Sequence, residues 1–342
     1  MCALGKLRDP ASQPGASRNM TTDEFVDLRS TTDEPTRVAP GLAYLRDRIV
    51  NVAFIGSFDG HDGPWLLVDT GLPGSVSRII NAAELLYGPD ATPDAIILTH
   101  GHFDHVGSVR ELVRRWRVPV YAHELEMPYL TGRSSYPPPD PAVGGGALAT
   151  MSRFFPRRPI NLGTSVLSLP ADGALPVIGG WRWIHTPGHA PGHVSLFRDY
   201  DRALVAGDAF VTTKQESLSA VLAQRPEVHG PPAYYTMDWG AAEESVERLA
   251  QLHPSVVVTG HGIAMRGRRL ERGLDELAAN FRHLAVPSRG RYVRQPALAD
   301  RSGVLYVPPP VPDVVGRAVA GAAVAAIAAV ALAAVRRRNS RS

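Results

Sequence analysis

Residues 97–107 read ILTHGHFDHVG, a stretch that places three histidines and an aspartate within six positions directly after an apolar run. Side chains alternate between the faces of an extended chain, so His100, His102 and Asp104 share one side, and His105 follows where the chain turns towards a helix. Two imidazoles are thus offered to one metal ion, and a carboxylate with an imidazole to a second. Three histidines with an aspartate at the end of a strand predict a metal site.

Three later stretches supply candidates for the remaining ligands. HTPGHAPGHVSL carries His185, His189 and His193 before a strand, ALVAGDAF places Asp208 after one, and SVVVTGHG places His261 after another. Each stretch has a glycine turn at a strand end, where the loops of a sheet protein converge. A catalytic zinc or iron normally needs several protein ligands and keeps one position open for water, so these turns are the expected source.

Around this motif, residues 38–285 alternate short β-rich runs with helical patterns. WLLVDTG leads into SVSRIINAAELLYG, and AIILT leads into VGSVRELVRRW, which predicts an α/β domain with layered sheets and helices. We predict further strands at SVLSL, WRWIHT, HVSLF, ALVAG and SVVVTG, and helices over 240–252 and about 267–285. Two long segments, 134–147 and 212–239, lack this periodicity and are typical of lids, of binding loops or of plain surface excursions.

The composition excludes several kinds of site. The chain has 342 residues, a formal net charge of +3 and one cysteine, Cys2. Four arginines lie in the last seven residues, so the rest of the chain is close to neutral and lacks the positive surface expected of a nucleic-acid-binding protein. With a single cysteine, neither an internal disulfide nor a thiolate cluster can form, so a metal must be held by histidine and carboxylate.

The two ends differ from the body of the chain. Residues 1–36 are polar and lack the apolar core of a secretory signal, so we predict a disordered leader before a domain at 37–302. A Pro-rich stretch at 303–313 predicts a stiff spacer. Residues 318–335 are uncharged, and a helix of roughly 27 Å would cross a bilayer. We therefore predict a transmembrane helix with a basic tail at 314–342, membrane association through it and a domain on the cytoplasmic side; an Ala-rich helix on a surface is the alternative.

Five motifs taken together, VDTG at 68–71, HGHFDH, TPGHAPGH, GD and TGHG, resemble the metallo-β-lactamase superfamily. The similarity is to its hydrolases of the glyoxalase II and acyl-homoserine-lactonase kind, and it covers about residues 38–267. It implies a four-layer αββα sandwich of the metallo-β-lactamase type with two divalent metal ions at one edge. Zn²⁺ is the metal that we expect, with iron or manganese as alternatives.

The resemblance also implies a role for each candidate residue. His100, His102 and His189 would hold the first metal ion, Asp104, His105 and His261 the second, and Asp208 would bridge the two. Asp69 would orient a ligand histidine, or would only form the turn before Gly71. His193 would support the site without binding a metal ion, and His185 would be an ordinary strand residue.

The implied activity is metal-dependent hydrolysis of an ester, thioester or lactone by a hydroxide that bridges two metal ions, with Asp104 holding the nucleophile and passing on its proton. The substrate would be a small acyl compound, no nucleic-acid partner is expected, and the oligomeric state stays open. β-Lactam hydrolysis is disfavoured because the chain offers no cysteine ligand, and Phe210 stands where the lactonases often have a tyrosine. The alternatives are an iron-dependent oxidoreductase of the persulfide dioxygenase kind and a nuclease acting on RNA or another phosphoester.

Overall fold

Two β-sheets form the framework of the computed structural model, which describes residues 34–58 and 63–311. The first sheet has seven strands side by side in chain order: β1 (Thr36–Ala39), β2 (Leu42–Asp47), β3 (Val50–Gly56), β4 (Trp65–Val68), β5 (Ala95–Ile97), β6 (Val120–Ala122) and β7 (Val166–Ser168). Strands β1 to β4 pair antiparallel, and β4 to β7 pair parallel. Parallel neighbours need crossover connections, so helices are expected between them.

The second sheet has five strands: β8 (Trp181–His185), β9 (Val194–Arg198), β10 (Ala203–Gly207), β11 (Val256–Thr259) and β12 (Met265–Arg266). Their spatial order is β12-β11-β10-β9-β8, and only β10 and β11 pair parallel. Because parallel strands end at the same edge, the residues that follow β10 and β11 lie side by side. A hairpin of β13 (Leu298–Asp300) and β14 (Gly303–Tyr306) stands apart from both sheets.

Helices connect and cover the sheets. In chain order they are α1 (Val76–Tyr87), α2 (Val109–Trp116), α3 (Met127–Leu130), α4 (Ala147–Met151), α5 (Leu218–Ala223), α6 (Trp239–Ala250), α7 (Gly267–Ala279) and α8 (Phe281–Leu284). Helix α1 buries Ile79, Ala82, Ala83 and Leu86, a spacing of three and four residues that produces one apolar face. Such a face, more than helix propensity, is what holds a helix on a sheet.

Alternation along the strands separates three apolar layers. In β4, Leu66 and Val68 pack between the two sheets, while Trp65 and Leu67 pack against α1 and α2. The outer face of the second sheet packs in the same way against α6, α7 and α8. The layers follow in the order helix, sheet, sheet, helix, which confirms the αββα sandwich expected from the sequence.

Some elements differ from the predicted ones. The helix expected over about 267–285 is two helices, because the chain leaves helical geometry at Asn280 (φ −127°, ψ 26°). The segment 212–239 contains α5. Thr36, assigned to the leader, begins β1, and the hairpin of β13 and β14 crosses the predicted boundary between residues 302 and 303.

The prediction of a membrane anchor needs correction. Among residues 34–58 and 63–311, no helix has both the length and the apolar character that crossing a membrane requires. The longest described helix, α7, has 13 residues and reaches about 20 Å, against a hydrocarbon thickness of about 30 Å. The segment 314–342, on which the transmembrane helix was placed, lies outside the described residues. The predicted membrane association and the localisation based on it are therefore not supported.

The strand ends that carry the predicted ligands meet at one edge of the sandwich. The amide of Val194, at the start of β9, donates to Thr99 O after β5 over 2.9 Å, which joins the two sheets. A second link runs from Asn51 N in β3 to Gly260 O after β11 over 2.7 Å. These bonds hold the loops after β5, β8, β10 and β11 around one space.

Candidate metal centre

Seven buried side chains from distant parts of the chain converge at this edge. They form three overlapping groups whose ligand atoms lie within 4.8 Å of one another: His100, His102 and His189; His100, His105 and Asp208; and Asp104, His105 and His261. All seven were predicted from the sequence, and the structure brings every one of them into the same site. In the described part of the chain, the groups contain only imidazole and carboxylate side chains.

Asp208 lies at the centre of the site. Its Oδ2 is 3.3 Å from His189 Nε2, 3.2 Å from His261 Nε2 and 3.5 Å from His105 Nε2. It therefore contacts one imidazole of the first group and two of the group that contains Asp104. A carboxylate shared between two sets of imidazoles is the geometry expected of a residue that bridges two cations.

Several polar atoms of the site are buried without a partner. His100 Nε2, His105 Nε2 and Asp208 Oδ1 have no hydrogen-bond partner within residues 34–58 and 63–311. A buried polar atom left unpaired costs about 1–3 kcal/mol, so such atoms seldom persist in a native protein without a ligand or water. Nitrogen and oxygen atoms that point at one another across a few ångströms fit a bound divalent cation. The residues present are thus suited to hold metal ions.

The charge states of these groups favour cation binding. Burial lowers the pKa of His100 and of His102 well below the usual range, and the neighbouring imidazoles lower it further. Burial would raise the pKa of Asp208, but His261 and His105 hold it well below its ordinary value. Burial would likewise lower the pKa of His105, yet the nearby carboxylates raise it well above the usual range. Neutral imidazoles and an ionised carboxylate are the forms that coordinate metals, and a cation would replace the proton on His105.

Four of the five histidines of the site have, within the described residues, a hydrogen-bond partner for the ring nitrogen that faces away from it. His105 Nδ1 lies 2.7 Å from Asp69 Oδ2, His261 Nδ1 lies 2.6 Å from Ile49 O, His100 Nδ1 lies 3.1 Å from Thr99 Oγ1, and His189 Nδ1 lies 3.4 Å from Thr236 Oγ1. Partners of this kind fix the tautomer and the ring orientation of a ligand histidine. The sequence pointed to Asp69 alone, since a carbonyl and two threonines carry no pattern.

Asp69 has the contacts expected of an orienting residue. Besides His105, its carboxylate accepts hydrogen bonds from Thr99 N (2.8 Å) and Thr99 Oγ1 (2.7 Å). Its φ of +61° is the left-handed conformation, which a non-glycine residue adopts at a conformational cost. The turn and the orienting contact are therefore features of the same residue.

We expect Asp69→Asn to weaken metal binding about 10–100-fold, because an asparagine can offer only one acceptor oxygen to His105 and Thr99. Titration of the metal-free protein against a chromophoric chelator measures this. Thr92→Val is the control, since Thr92 is exposed and its hydroxyl bonds only Asp90 O. Unchanged affinity in the asparagine variant would leave Asp69 with a turn-forming role alone.

Of the remaining histidines of the motifs, His193 supports the site from outside and His185 does not contact it. His193 Nε2 accepts the backbone N–H of Asp208 over 2.8 Å, and its Nδ1 lies 2.8 Å from Thr186 Oγ1. Gly207, at φ +54°, makes this possible, because a Cβ there would lie 2.5 Å from His193 Nε2. His185 Nε2 lies 2.9 Å from Pro191 O, on the far side of the turn.

Glu126 is a buried residue that the sequence analysis missed. Its side chain is fully buried, and it accepts hydrogen bonds from Gly101 N (2.9 Å), Gly192 N (2.8 Å) and the hydroxyl of Tyr136. Burial raises the pKa of Glu126 to about 7 against the effect of these bonds. A fully buried glutamate is rare, but its donors are mostly backbone groups, so a motif search has nothing to detect. The glutamate in HELEMPYL, next to a strand end, was the only signal.

The two long segments without periodicity meet beside the site. Val143 of the first segment packs against a buried cluster formed by Val221, Tyr234 and Tyr235 of the second segment with Leu148 and Ala149, which directly follow the first. The ring of Tyr235 stacks on that of His102 with centroids 4.3 Å apart and an interplanar angle of 26°. These segments therefore supply an aromatic and apolar wall next to the metal-facing imidazoles.

Comparison with known proteins agrees with this architecture. Residues 45–261 match the family model of the metallo-beta-lactamase superfamily. The chain is 48% identical over 258 residues to the probable metallo-hydrolase YflN of Bacillus subtilis (strain 168), covering 75% of this chain and 97% of that protein. It is 29% identical over 142 residues to the hydroxyacylglutathione hydrolase GloC of Haemophilus influenzae, covering 42% of this chain and 59% of that one.

A solved structure shows the same fold. The beta-lactamase domain protein from Burkholderia ambifaria superposes with a TM-score of 0.51 and 22% identity, covering 75% of this chain and 79% of that chain. The family match spans the strands and turns that bring the seven side chains together. On this evidence the chain belongs to the metallo-β-lactamase superfamily and is a metal-dependent hydrolase.

Proposed function

We propose that the chain hydrolyses a small ester, thioester or lactone with two divalent metal ions, of which Zn²⁺ is the first candidate. The observation that carries this proposal is the position of Asp208 Oδ2, within 3.5 Å of imidazoles from both sides of the site. A site for one metal ion would need only one of these sets. The imidazole and carboxylate groups of the other set would then be buried without a ligand, which costs free energy.

The residues divide into two sets around Asp208. His100, His102 and His189 would hold one ion, and Asp104, His105 and His261 would hold the other, with Asp208 between them. When bound, two such ions supply Lewis acidity, which lowers the pKa of water and polarises a carbonyl group. The protein itself then needs no side-chain nucleophile. Its residues orient the substrate, exclude bulk water and move protons.

Asp104 is the carboxylate placed to move a proton. Its side chain is 10% exposed, whereas that of Asp208 is 2% exposed, and its Oδ2 lies 3.6 Å from His261 Nε2. The carboxylate of Asp104 is thus more accessible to solvent than that of Asp208. We assign to Asp104 the holding of the attacking water and the acceptance of its proton.

The wall beside the site favours an apolar acyl group. Tyr235 lies on His102, and Phe155 continues the aromatic surface with its ring 5.7 Å from that of Tyr234 and 6.3 Å from that of Tyr235. Apolar surface of this kind binds hydrocarbon rather than charged groups. The hydroxyacylglutathione hydrolase among the relatives acts on thioesters by its name, which makes thioesters the first class to test.

A substrate screen on protein of measured metal content tests the proposal. We expect turnover of acyl thioesters, esters or lactones, loss of turnover after chelation, and its return on addition of Zn²⁺. The metal analysis separates the alternatives. One iron per chain with oxygen uptake in the presence of a persulfide would contradict the proposal and favour the oxidoreductase, and cleavage of phosphodiesters alone would favour the nuclease.

A further inference from the structure

Glu126 joins the two histidine loops that supply the first group of ligands. Its Oε2 accepts from Gly101 N over 2.9 Å, and its Oε1 accepts from Gly192 N over 2.8 Å. Gly101 lies between His100 and His102, and Gly192 lies three residues after His189. One carboxylate, held on the turn between β6 and α3, is therefore bonded to the backbone of both loops.

Both contacts depend on glycine. A Cβ at Gly192 would lie 2.8 Å from Glu126 Cγ and 2.9 Å from Glu126 N. A Cβ at Gly101 would lie 2.9 Å from the hydroxyl oxygen of Tyr136, which itself bonds Glu126 and accepts from Gly101 N over 2.8 Å. The glycine in each histidine motif thus permits the close approach of the same buried pair.

The bonded loops carry ligand atoms that must lie close together. His102 Nδ1 is 2.9 Å from His189 Nε2, and the ring of Tyr136 packs on that of His102 with centroids 4.5 Å apart. The second group has different supports, since His105 bonds Asp69 and His261 bonds a backbone carbonyl. In the described part of the chain, Glu126 makes no hydrogen bond to the second group.

We propose that Glu126, together with Tyr136, is a positioning residue that sets the metal affinity of His100, His102 and His189 selectively. The inference rests on the proposed two-metal assignment. The physical reason is the pattern of donors, because Gly101 N, Gly192 N and the Tyr136 hydroxyl all meet the two oxygens of one carboxylate. A carboxylate can accept all three, whereas an amide would turn an N–H₂ group towards at least one of them.

Site-resolved Zn²⁺ titration of the metal-free protein against a chromophoric chelator tests the proposal. For Glu126→Gln, we expect the affinity of one of the two sites to fall about 10–100-fold, the range for residues that orient ligands, while the other site keeps its affinity. Tyr136→Phe removes one of the three donors and should produce a smaller loss at the same site. Because the assay measures binding of Zn²⁺ alone, its result does not depend on which substrate is hydrolysed.

Tyr129→Phe is the matched control. The ring of Tyr129 stacks on that of Tyr136 with centroids 3.9 Å apart, and its hydroxyl has no hydrogen-bond partner in the described residues, so its loss should leave both affinities unchanged. Equal weakening of both sites by Glu126→Gln, or wild-type affinity in that variant, would overturn the proposal. If Glu126→Gln does not fold, as judged by circular dichroism, Tyr136→Phe decides the question by the same criterion. A wild-type protein that binds fewer than two Zn²⁺ ions would instead overturn the two-metal assignment.

Discussion

Asp208→Ala is expected to release both metal ions and to abolish measurable hydrolysis, a larger effect than the roughly 10–100-fold typical of residues that only orient a ligand. The reason is that, among the described residues, Asp208 Oδ2 is the one carboxylate oxygen within 3.5 Å of imidazoles from both groups. Its removal takes away the negative charge that His189, His105 and His261 share, so each set loses a ligand and the cations lose their shared counter-charge. Metal per chain after gel filtration and kcat/KM measure the two effects.

His185→Ala is the control for this experiment. His185 belongs to the same HTPGH segment (185–189) as His189, but its Nε2 faces Pro191 O and its ring stacks on that of His123 with centroids 4.2 Å apart. We expect this variant to keep two metal ions and full activity. An Asp208→Ala protein that retained both ions and turned over substrate would show that the central carboxylate is not a ligand.

The convergence of the candidate site residues could be predicted because their positions follow from local geometry, whereas the choice of His189 over His185 and His193 came from the family resemblance. His100 and His102 come directly after a buried strand, and period-two alternation is enough to place them on one side. Asp208 and His261 follow two strands that pair in parallel, so they reach the same edge without any knowledge of their distance in the chain. A motif at a strand end therefore indicates both the type of side chain and where in the fold it lies.

Apart from Asp69, the residues that support these side chains could not be predicted, because they depend on groups without a sequence signature. The carbonyl of Ile49 lies 2.6 Å from His261 Nδ1 although the two residues are 212 positions apart. Glu126 meets two backbone amides, and every non-proline residue carries such an amide. Only tertiary structure selects which of them is used.

The first two strands were missed for a related reason. LAYLRD in β2 ends with Arg46 and Asp47, charged residues that interrupt the apolar pattern of a buried strand. Both are buried in the fold. Arg46 Nη2 donates to Val221 O over 3.0 Å, and Asp47 pairs with Arg78 and accepts from Leu72 N over 2.9 Å. Buried charges of this kind are stable only with partners, and these partners lie far away in sequence.

The segments 134–147 and 212–239 show the limit of periodicity. The helical elements Pro141–Val143 and Leu218–Ala223 within them have three and six residues, too few to display an apolar face or to be stable alone. The segments are held by one another instead, through Asp140 N to Tyr234 O (2.7 Å) and, directly after the first segment, Leu148 N to Glu216 O (3.2 Å). An arrangement fixed by such mutual contacts cannot be read from either segment separately.

Asp104→Asn separates proton transfer from metal binding. The amide keeps the size of the carboxylate and one oxygen that can face the second ion, but it cannot accept a proton at neutral pH. We expect kcat to fall about 10²–10⁴-fold, the usual contribution of general acid–base catalysis, while the ion held by His100, His102 and His189 stays bound. Steady-state kinetics on a reactive thioester, together with metal content, measure both properties.

Asp140→Asn is the matched control for that substitution, because Asp140 is also a buried aspartate and its oxygens accept from backbone N–H groups of Ala142 and Arg291. An asparagine oxygen can replace part of that role, so kcat should change little. The contrast follows from where the charge is needed. Asp104 has a side chain 10% exposed at the site, and its Oδ2 lies 3.6 Å from His261 Nε2, so its carboxylate faces the space in which a water would be activated. If Asp104→Asn binds two ions and keeps its kcat, proton transfer must be assigned to another group.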